Sequence, residues 1–519
     1  MNIEFNHCVQ WLNDRITDPT GARYLVERTP ETRLAEFEDQ LARTGDFLAF
    51  AGNPQSQFPS IHVAGTSGKG SVTVMLAALL TGMRFRTGAH VSPYLQLPNE
   101  KLLLNGRMIL PADFVETVDE FREIYERWAN DDKNHRDDKN HRGDKHLRYE
   151  EVWTALAFYW LARQNVDWAV IETAMGGRFD PTNLVPARLA VITNVGYDHE
   201  SQIGPTLADI AWHKAGIIKP GALAITAETK PDVLRVLQTE ADEKGVRLYR
   251  LGQDFDFTVH HLNGDGATLT VQGPFNTYQN VEIAMRGKFQ PVNAALAVAG
   301  LDLLFNKPES VRRLKSRPQV QSLPSQTETQ IRNTEYPIPN TQYPIYTPQS
   351  PTLRLRSGQV SNLLPLKTLQ FPGRMEVLQT HPTVLLDGAH NPDKMAALVE
   401  SVQAIYPGQR AVILFGALKI KNAAVMLQTL LPIASRFIFA QVDVTGKPSS
   451  APGELAALLH ELAPDIPVEM ANTPAEGIQR ALTSLAPDDL LVITGSIYFI
   501  GAARERWFPK EDLIQQISK

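Results

Sequence analysis

The feature that most constrains this chain is a glycine-rich turn set between a short apolar strand and an apolar helix. Ile61-His62-Val63-Ala64 runs into Gly65-Thr66-Ser67-Gly68-Lys69-Gly70-Ser71, and Ser71 to Leu80 continues as an apolar helix. Glycines let backbone amides turn toward phosphate oxygens. The helix that starts near Ser71 adds its positive end. Lys69 supplies a cation for the β and γ phosphates, and Ser71 a hydroxyl for Mg²⁺. A lone glycine turn is weak and is often only a bend. Here a strand precedes it, a helix follows it, and lysine and serine are in place, so the turn reads as a site for ATP. It departs from the common phosphate loop in one respect, the extra glycine, Gly70, between Lys69 and Ser71.

Apolar strands recur at Trp168–Thr173, Leu189–Asn194 and Leu223–Thr226, then at Thr383–Leu386, Ala411–Phe415, Arg436–Gln441 and Leu490–Thr494. Helical patterns separate several of them. The alternation predicts an α/β fold with parallel sheets covered on both faces, and ligands belong at the carboxyl ends of such strands. With 519 residues, roughly two to four domains are expected. A net charge of -6 argues against a broad nucleic-acid grip. The single cysteine, Cys8, permits no internal disulfide and fits a reducing compartment. No apolar run approaches the roughly 18–20 residues that span a bilayer, and Met1 to Arg15 lacks the apolar core of a signal peptide. A soluble cytoplasmic protein is the expectation.

Two segments interrupt the pattern. Asp131-Asp132-Lys133-Asn134-His135-Arg136 repeats at once as Asp137-Asp138-Lys139-Asn140-His141-Arg142. His135, His141 and His146 suggest metal binding, but a charged repeat in a solvated loop is the better account. From Lys307 to Pro365 the chain is rich in Pro, Gln, Ser and Thr and reads as a disordered insert. The chain therefore divides into residues 1–306, with a charged insert at 130–146, then 307–365, then a second unit at 366–519.

A set of short blocks in fixed order resembles the folylpolyglutamate synthase and dihydrofolate synthase branch of the Mur ligase superfamily. They are His62 through Ser71, Met175-Gly176-Gly177-Arg178-Phe179-Asp180-Pro181-Thr182-Asn183, Asp198-His199 and Lys214-Ala215-Gly216-Ile217. They continue with Gln290-Pro291-Val292-Asn293-Ala294, Pro372-Gly373-Arg374, Asp387-Gly388-Ala389-His390-Asn391-Pro392 and Thr494-Gly495-Ser496. The resemblance implies a Mur-ligase-like ATPase domain with a parallel-rich central sheet, a smaller Rossmann-like domain, and an active site between them. It implies that ATP, a folate or dihydropteroate carboxylate and L-glutamate give an amide, ADP and phosphate. A monomer acting on small molecules, with neither nucleic acid nor membrane as partner, is the expected state.

The chemistry asks for cations and oriented amides around phosphoryl oxygens, and for Mg²⁺, two ions rather than one. By resemblance, Ser71 and Glu151 hold the first metal, with Glu150 a rival, and His199 takes the second. Lys214 is expected to be carbamylated by CO₂ and so to become an anion beside the metals. Glu172, at a strand end, orients the site or a metal-bound water. Gly176, Gly177 and Arg178 turn near the metals, with Asp180 and Asn183 holding that loop. Asn293, Arg374 and Asp387 contact the nucleotide, with Gly65 to Ser71 around its phosphates. His390 faces the phosphate or the incoming glutamate. Lys69, Lys214, His390 and Glu172 form the catalytic set, and Ser92, Arg178 and Ser496 stand on the substrate side.

Three departures from the family pattern fall on the substrate side or in the second unit. Tyr94 stands where histidine is usual, Gly416 to Asn422 lacks the acids often seen around Lys421, and the N-terminal folate-side helix is poorly matched; a further departure, beside Lys214, puts His213 where glutamate is common. They keep two alternatives open: another Mur-type acid–amino acid ligase, and a nucleotide-binding regulator that has lost catalysis. Too little chain precedes Gly65 for the extra domain of a peptidoglycan-precursor ligase, and Lys69, Ser71, Glu151, His199 and Lys214 argue against lost catalysis.

Overall fold

The computed structural model describes residues 2–20, 29–131, 146–306 and 363–517. Its first layer is an eight-stranded sheet. The strands are β1 (Ser60–Ala64), β2 (Thr87–His90), β3 (Leu102–Leu104), β4 (Arg107–Met108), β5 (Trp168–Glu172), β6 (Leu189–Ile192), β7 (Leu223–Thr226) and β8 (Leu248–Arg250). Their spatial order is β4-β3-β2-β5-β1-β6-β7-β8. β2, β5, β1, β6, β7 and β8 run parallel, and β3 and β4 are added antiparallel at one edge. Every residue of β1 and β6 is buried, as expected of strands covered on both faces. The helix Lys69–Gly82 and the apolar helix Gln290–Phe305 cover one face together.

A three-stranded antiparallel meander follows: β9 (Asp256–Asn263), β10 (Gly266–Gln272) and β11 (Thr277–Ile283). It was not expected from the sequence. Its first strand is largely exposed and carries no apolar run, while Leu269, Val271, Val281 and Ile283 turn inward onto the core of the first sheet. The second unit holds β12 (Glu376–Thr380), β13 (Thr383–Leu386), β14 (Ala411–Phe415), β15 (Ala434–Phe439), β16 (Val468–Met470) and β17 (Leu490–Thr494). Their order is β12-β13-β17-β14-β15-β16, parallel apart from β12. All the strands expected from apolar runs are present, so the two-part α/β architecture stands.

The expected boundary at 366 differs from the packing. Helix Leu364–Thr368 still belongs to the first unit: Leu366 sits in its core and accepts a bond from the Ala284 amide. The second unit's core begins with Met375. The chain then crosses back, because Leu513 and Ile514 of the last helix pack in the first unit's core with Phe5 and Trp153. The repeat from Asp132 and the polar segment up to 362 lie outside the described residues. His146, at the edge of the repeat, is hydrogen-bonded to Tyr125. No helix among the described residues is long and apolar enough to cross a membrane.

Candidate active site

Three neighbouring parallel strands deliver the site at their carboxyl ends. β1 runs into the glycine turn, β5 ends on Glu172, and β6 runs into Thr193-Asn194. The last two residues hold the turn. The Thr66 amide bonds the Asn194 carbonyl and the Ser67 amide bonds Asn194 Oδ1, each at 2.9 Å. Thr193 Oγ1 donates to the Ser67 carbonyl at 2.6 Å. Gly68 starts the helix in the left-handed region at φ 82°, and a Cβ there would stand 2.5 Å from Asn293 Oδ1. A Cβ on Gly70 would lie 2.8 Å from the Phe371 ring and 3.4 Å from Glu172 Oε2. The extra glycine is thus required by what packs on it. Lys69 Nζ rests on the Gly65 carbonyl at 3.1 Å, and Ser71 Oγ receives Gln290 Nε2 at 3.4 Å.

Glu172 is 4% exposed, and its Oε2 accepts the Ser92 amide at 3.1 Å. Burial pushes its carboxyl up, while Lys69, the Ser92 amide and Arg374 pull against that shift. It is the acid that lies against the phosphate turn. Glu151 is placed differently from the expectation that it holds a metal. It is fully buried and forked by Arg43, with Nη2–Oε1 2.5 Å and Nε–Oε2 3.0 Å, and Oε2 also accepts the Arg148 amide at 2.9 Å. Both oxygens are engaged in joining two helices, and the acid against the phosphate turn is Glu172 instead.

Arg178 also departs from its expected role. It pairs with Glu240, donates to the Trp212 carbonyl and lies 4.1 Å from the Trp212 ring centre. It braces two helices and does not line the cleft. Asp180 and Asn183 secure the adjacent turn: Asp180 accepts the Met175 and Thr182 amides, and Asn183 Nδ2 donates to the Arg178 and Gly216 carbonyls.

Lys214 is 4% exposed, and burial, then the nearby Lys69, push its ammonium well below the usual lysine range. His199 follows β6 at φ 60°, and desolvation lowers it to about 3, so its imidazole is neutral. Among the described residues no three His, Cys, Asp or Glu side chains gather as a metal cage. Ser71 and Glu172 nevertheless offer the hydroxyl and carboxylate oxygens that Mg²⁺ takes beside waters and phosphate oxygens, and His199 offers a neutral ring nitrogen.

The second unit closes the cleft. Arg374 Nη1 donates to the Gly373 carbonyl at 3.0 Å, and its guanidinium lies 5.3 Å from the Phe371 ring centre, the ring that covers Gly70. Asp387 accepts the Met375 and Ala389 amides, both at 2.9 Å, and so locks the turn that carries Arg374. His390 Nδ1 sits 2.7 Å from the Gly388 carbonyl and Nε2 3.0 Å from Lys394 Nζ. This pairing assigns the proton to Nδ1 and leaves Nε2 as acceptor. Burial, then Lys394, keep the imidazole neutral.

One hub was missed by sequence reasoning. Asp198 bonds Lys421, Asn391 Nδ2 (3.0 Å) and Lys394 Nζ (3.4 Å), all from the second unit. Burial alone would raise its carboxyl, but the Lys394 and Lys421 ammonium groups outweigh it and hold it far below the usual range. Only its place beside His199 marked it in the sequence. The cleft between the units has a volume of 670 Å³, and Ser92, Tyr94, His199, His213, His390 and Ser496 line it. Ser496 is 2% exposed, at the head of helix Ile497–Arg504. Phe37, Phe179, Trp212 and His213 pack ring against ring, which accounts for an aromatic residue at 213.

Comparison with known proteins gives the same two parts. The Mur ligase middle domain matches residues 136–301, and the Mur ligase glutamate ligase domain matches residues 373–497. The dihydrofolate synthase/folylpolyglutamate synthase of Bacillus subtilis (strain 168) is 29% identical over 467 residues, covering 90% of this chain and 94% of that protein. The protein of the same name from Mycobacterium tuberculosis is 31% identical over 504 residues, covering 92% of each. The solved structure of Mycobacterium tuberculosis folylpolyglutamate synthase complexed with ADP superposes with a TM-score of 0.77 at 27% identity, over 98% of this chain and 99% of that one. Matched in sequence over nearly its whole length and in both domains, the chain belongs to the dihydrofolate synthase/folylpolyglutamate synthase family of Mur ligases.

Proposed function

We propose that this chain joins L-glutamate to the carboxylate of a folate, or of dihydropteroate, with ATP as the activating substrate. The observation that carries the reading is the convergence of the phosphate turn and Glu172 from one domain with Arg374 and His390 from the other.

A carboxylate resists attack by an amine because its oxygen is a poor leaving group. In the first step a carboxylate oxygen attacks the γ phosphorus, the bond to the β-phosphate oxygen breaks, and an acyl phosphate and ADP result. In the second, the glutamate amine attacks the acyl carbon, phosphate leaves with the bonding pair, and the nitrogen gives up a proton. Both steps load charge on phosphoryl oxygens. Lys69 and the amides of Gly65 to Ser71 receive that charge from one side, and Arg374 from the other. Ser71, Glu172 and His199 would hold Mg²⁺, which would supply further positive charge there. His390 Nε2, an acceptor in its neutral form, is suited to orient the incoming ammonium or take its proton. Only a neutral lysine amine reacts with CO₂, and the burial that depresses Lys214 supports its carbamylation.

The test supplies ATP, Mg²⁺ and L-glutamate with either dihydropteroate or a reduced folate and measures phosphate and amide. Product with at least one acid is expected, and none with either would sink the reading.

A further inference from the structure

Among the described cations lining the cleft, Lys101 is the most deeply buried. It ends a short turn before β3, and its carbonyl accepts the Val91 amide at 3.0 Å, next to Ser92. Its side chain is buried, 2% exposed, yet it lines the cleft. The ammonium lies 4.6 Å from the Trp153 ring centre and 5.1 Å from that of Tyr149. Among the described residues it has neither a hydrogen-bond acceptor nor a carboxylate within ion-pair distance. The charges that face it are Glu150, exposed at the head of its helix, and Lys447, which reaches in from the second domain and is bonded to Tyr498. Burying an ammonium is costly unless an anion pairs with it, and aromatic faces recover only part of that cost. Burial accordingly lowers the Lys101 ammonium from its ordinary value.

We propose that Lys101 binds a carboxylate adjacent to the one being ligated. It belongs either to the terminal glutamyl unit of the acceptor, as its α-carboxylate, or to the incoming glutamate. This inference rests on the ligase reading above. It bears on substrate choice, because dihydropteroate carries only the carboxylate that reacts, whereas a folate carries a second one beside it. An acceptor that already bears glutamate gains a charge-assisted contact that dihydropteroate cannot make.

The test is steady-state kinetics of the full chain with Lys101→Met and Lys101→Arg, in two arms. One arm couples glutamate to a reduced folate, the other to dihydropteroate. In Lys101→Met, KM for the reduced folate is expected to rise roughly ten- to hundredfold relative to KM for dihydropteroate, with much of the loss restored in Lys101→Arg. A rise in KM for L-glutamate in both arms supports the site and assigns it to the incoming amino acid. No rise in any KM overturns it. Should Lys101→Met not fold, the wild-type chain decides the matter with a folate whose α-carboxylate is an amide and with glutamine and isoglutamine as competitors of glutamate. Discrimination against an amide supports the site, and equal binding of acids and amides overturns it. A wild-type chain inactive in both arms would count against the ligase reading and not against Lys101 alone.

Discussion

The two ends of the cleft are built on opposite terms. At the phosphoryl end nearly every charged group already has a partner. Lys69 rests on a carbonyl, Glu172 on the Ser92 amide, and Asp387 on two amides, while Asp198 gathers lysines and an asparagine from across the cleft. At the acid end Lys101 sits over aromatic rings with no anion at ion-pair distance among the described residues, and burial pushes the Tyr94 hydroxyl up to about 12. The departure from the family pattern at Tyr94 also falls at this end. On the proposed reading, machinery common to any acid is prebuilt, and the part that selects the acid is left for the substrate to complete.

The largest expected break in this comparison is Lys214→Ala. Turnover should fall by at least ~10³-fold, as for other groups that set charge at a reacting phosphoryl centre, while ADP binding stays measurable by calorimetry. Full activity in that variant would remove carbamylation from the mechanism. Glu172→Gln comes next: kcat should drop by about 10²–10³-fold, with a clear shift in the Mg²⁺ concentration at half-maximal rate. Glu151→Ala separates the two acids. It removes the fork on Arg43, which keeps Asp39 beside it, and the acceptor of the Arg148 amide, and should cost about 2 kcal/mol of stability in urea titrations, with the Mg²⁺ dependence unchanged. A shifted Mg²⁺ dependence would return Glu151 to the metal site.

A further difference is expected in pH. His62, in the strand leading to the phosphate turn, is fully buried and lowered to about 3 by burial. Its neutral form is favoured by folding, so its contribution is complete above about pH 6.5 and is lost as pH falls toward 3, at about 1.4 kcal/mol per pH unit. Tyr94 has the opposite sign: raised above 10, it contributes below pH 10 and loses that contribution as pH rises toward 12. His62→Asn should flatten the acid limb of unfolding curves and Tyr94→Phe the alkaline limb. The reverse assignment would undo the burial argument.

Legibility followed the range of the contacts. Buried parallel strands announce themselves as unbroken apolar runs, so β1, β5, β6, β7, β13, β14, β15 and β17 were readable. β9 mixes Thr, His and Asn on an exposed surface and carried no such signal. The phosphate turn was readable because its chemistry is contiguous. Glu151 and Glu172 were not separable in that way, since each is an acid in an apolar block. What distinguishes them is Arg43, 108 residues before Glu151, and the Ser92 amide, 80 residues before Glu172. Asp198 was invisible as a hub because its partners lie 193 to 223 residues further on.

The return of the last helix to the first domain has a mechanical consequence. The chain passes between the domains twice, near Gly373 and again near Phe508, and the crossings are stitched together. Arg504, just before the second, holds Glu376, just after the first, at 2.8 Å and Gln96 of the first domain at 2.5 Å. A body fastened at two neighbouring points keeps one easy freedom, rotation about the line through them. In such a rotation the rim that carries His390 and Lys394 would travel on an arc and meet or leave Asp198 as a door meets its latch, while the hinge side, with Arg374 close to it, would hardly move.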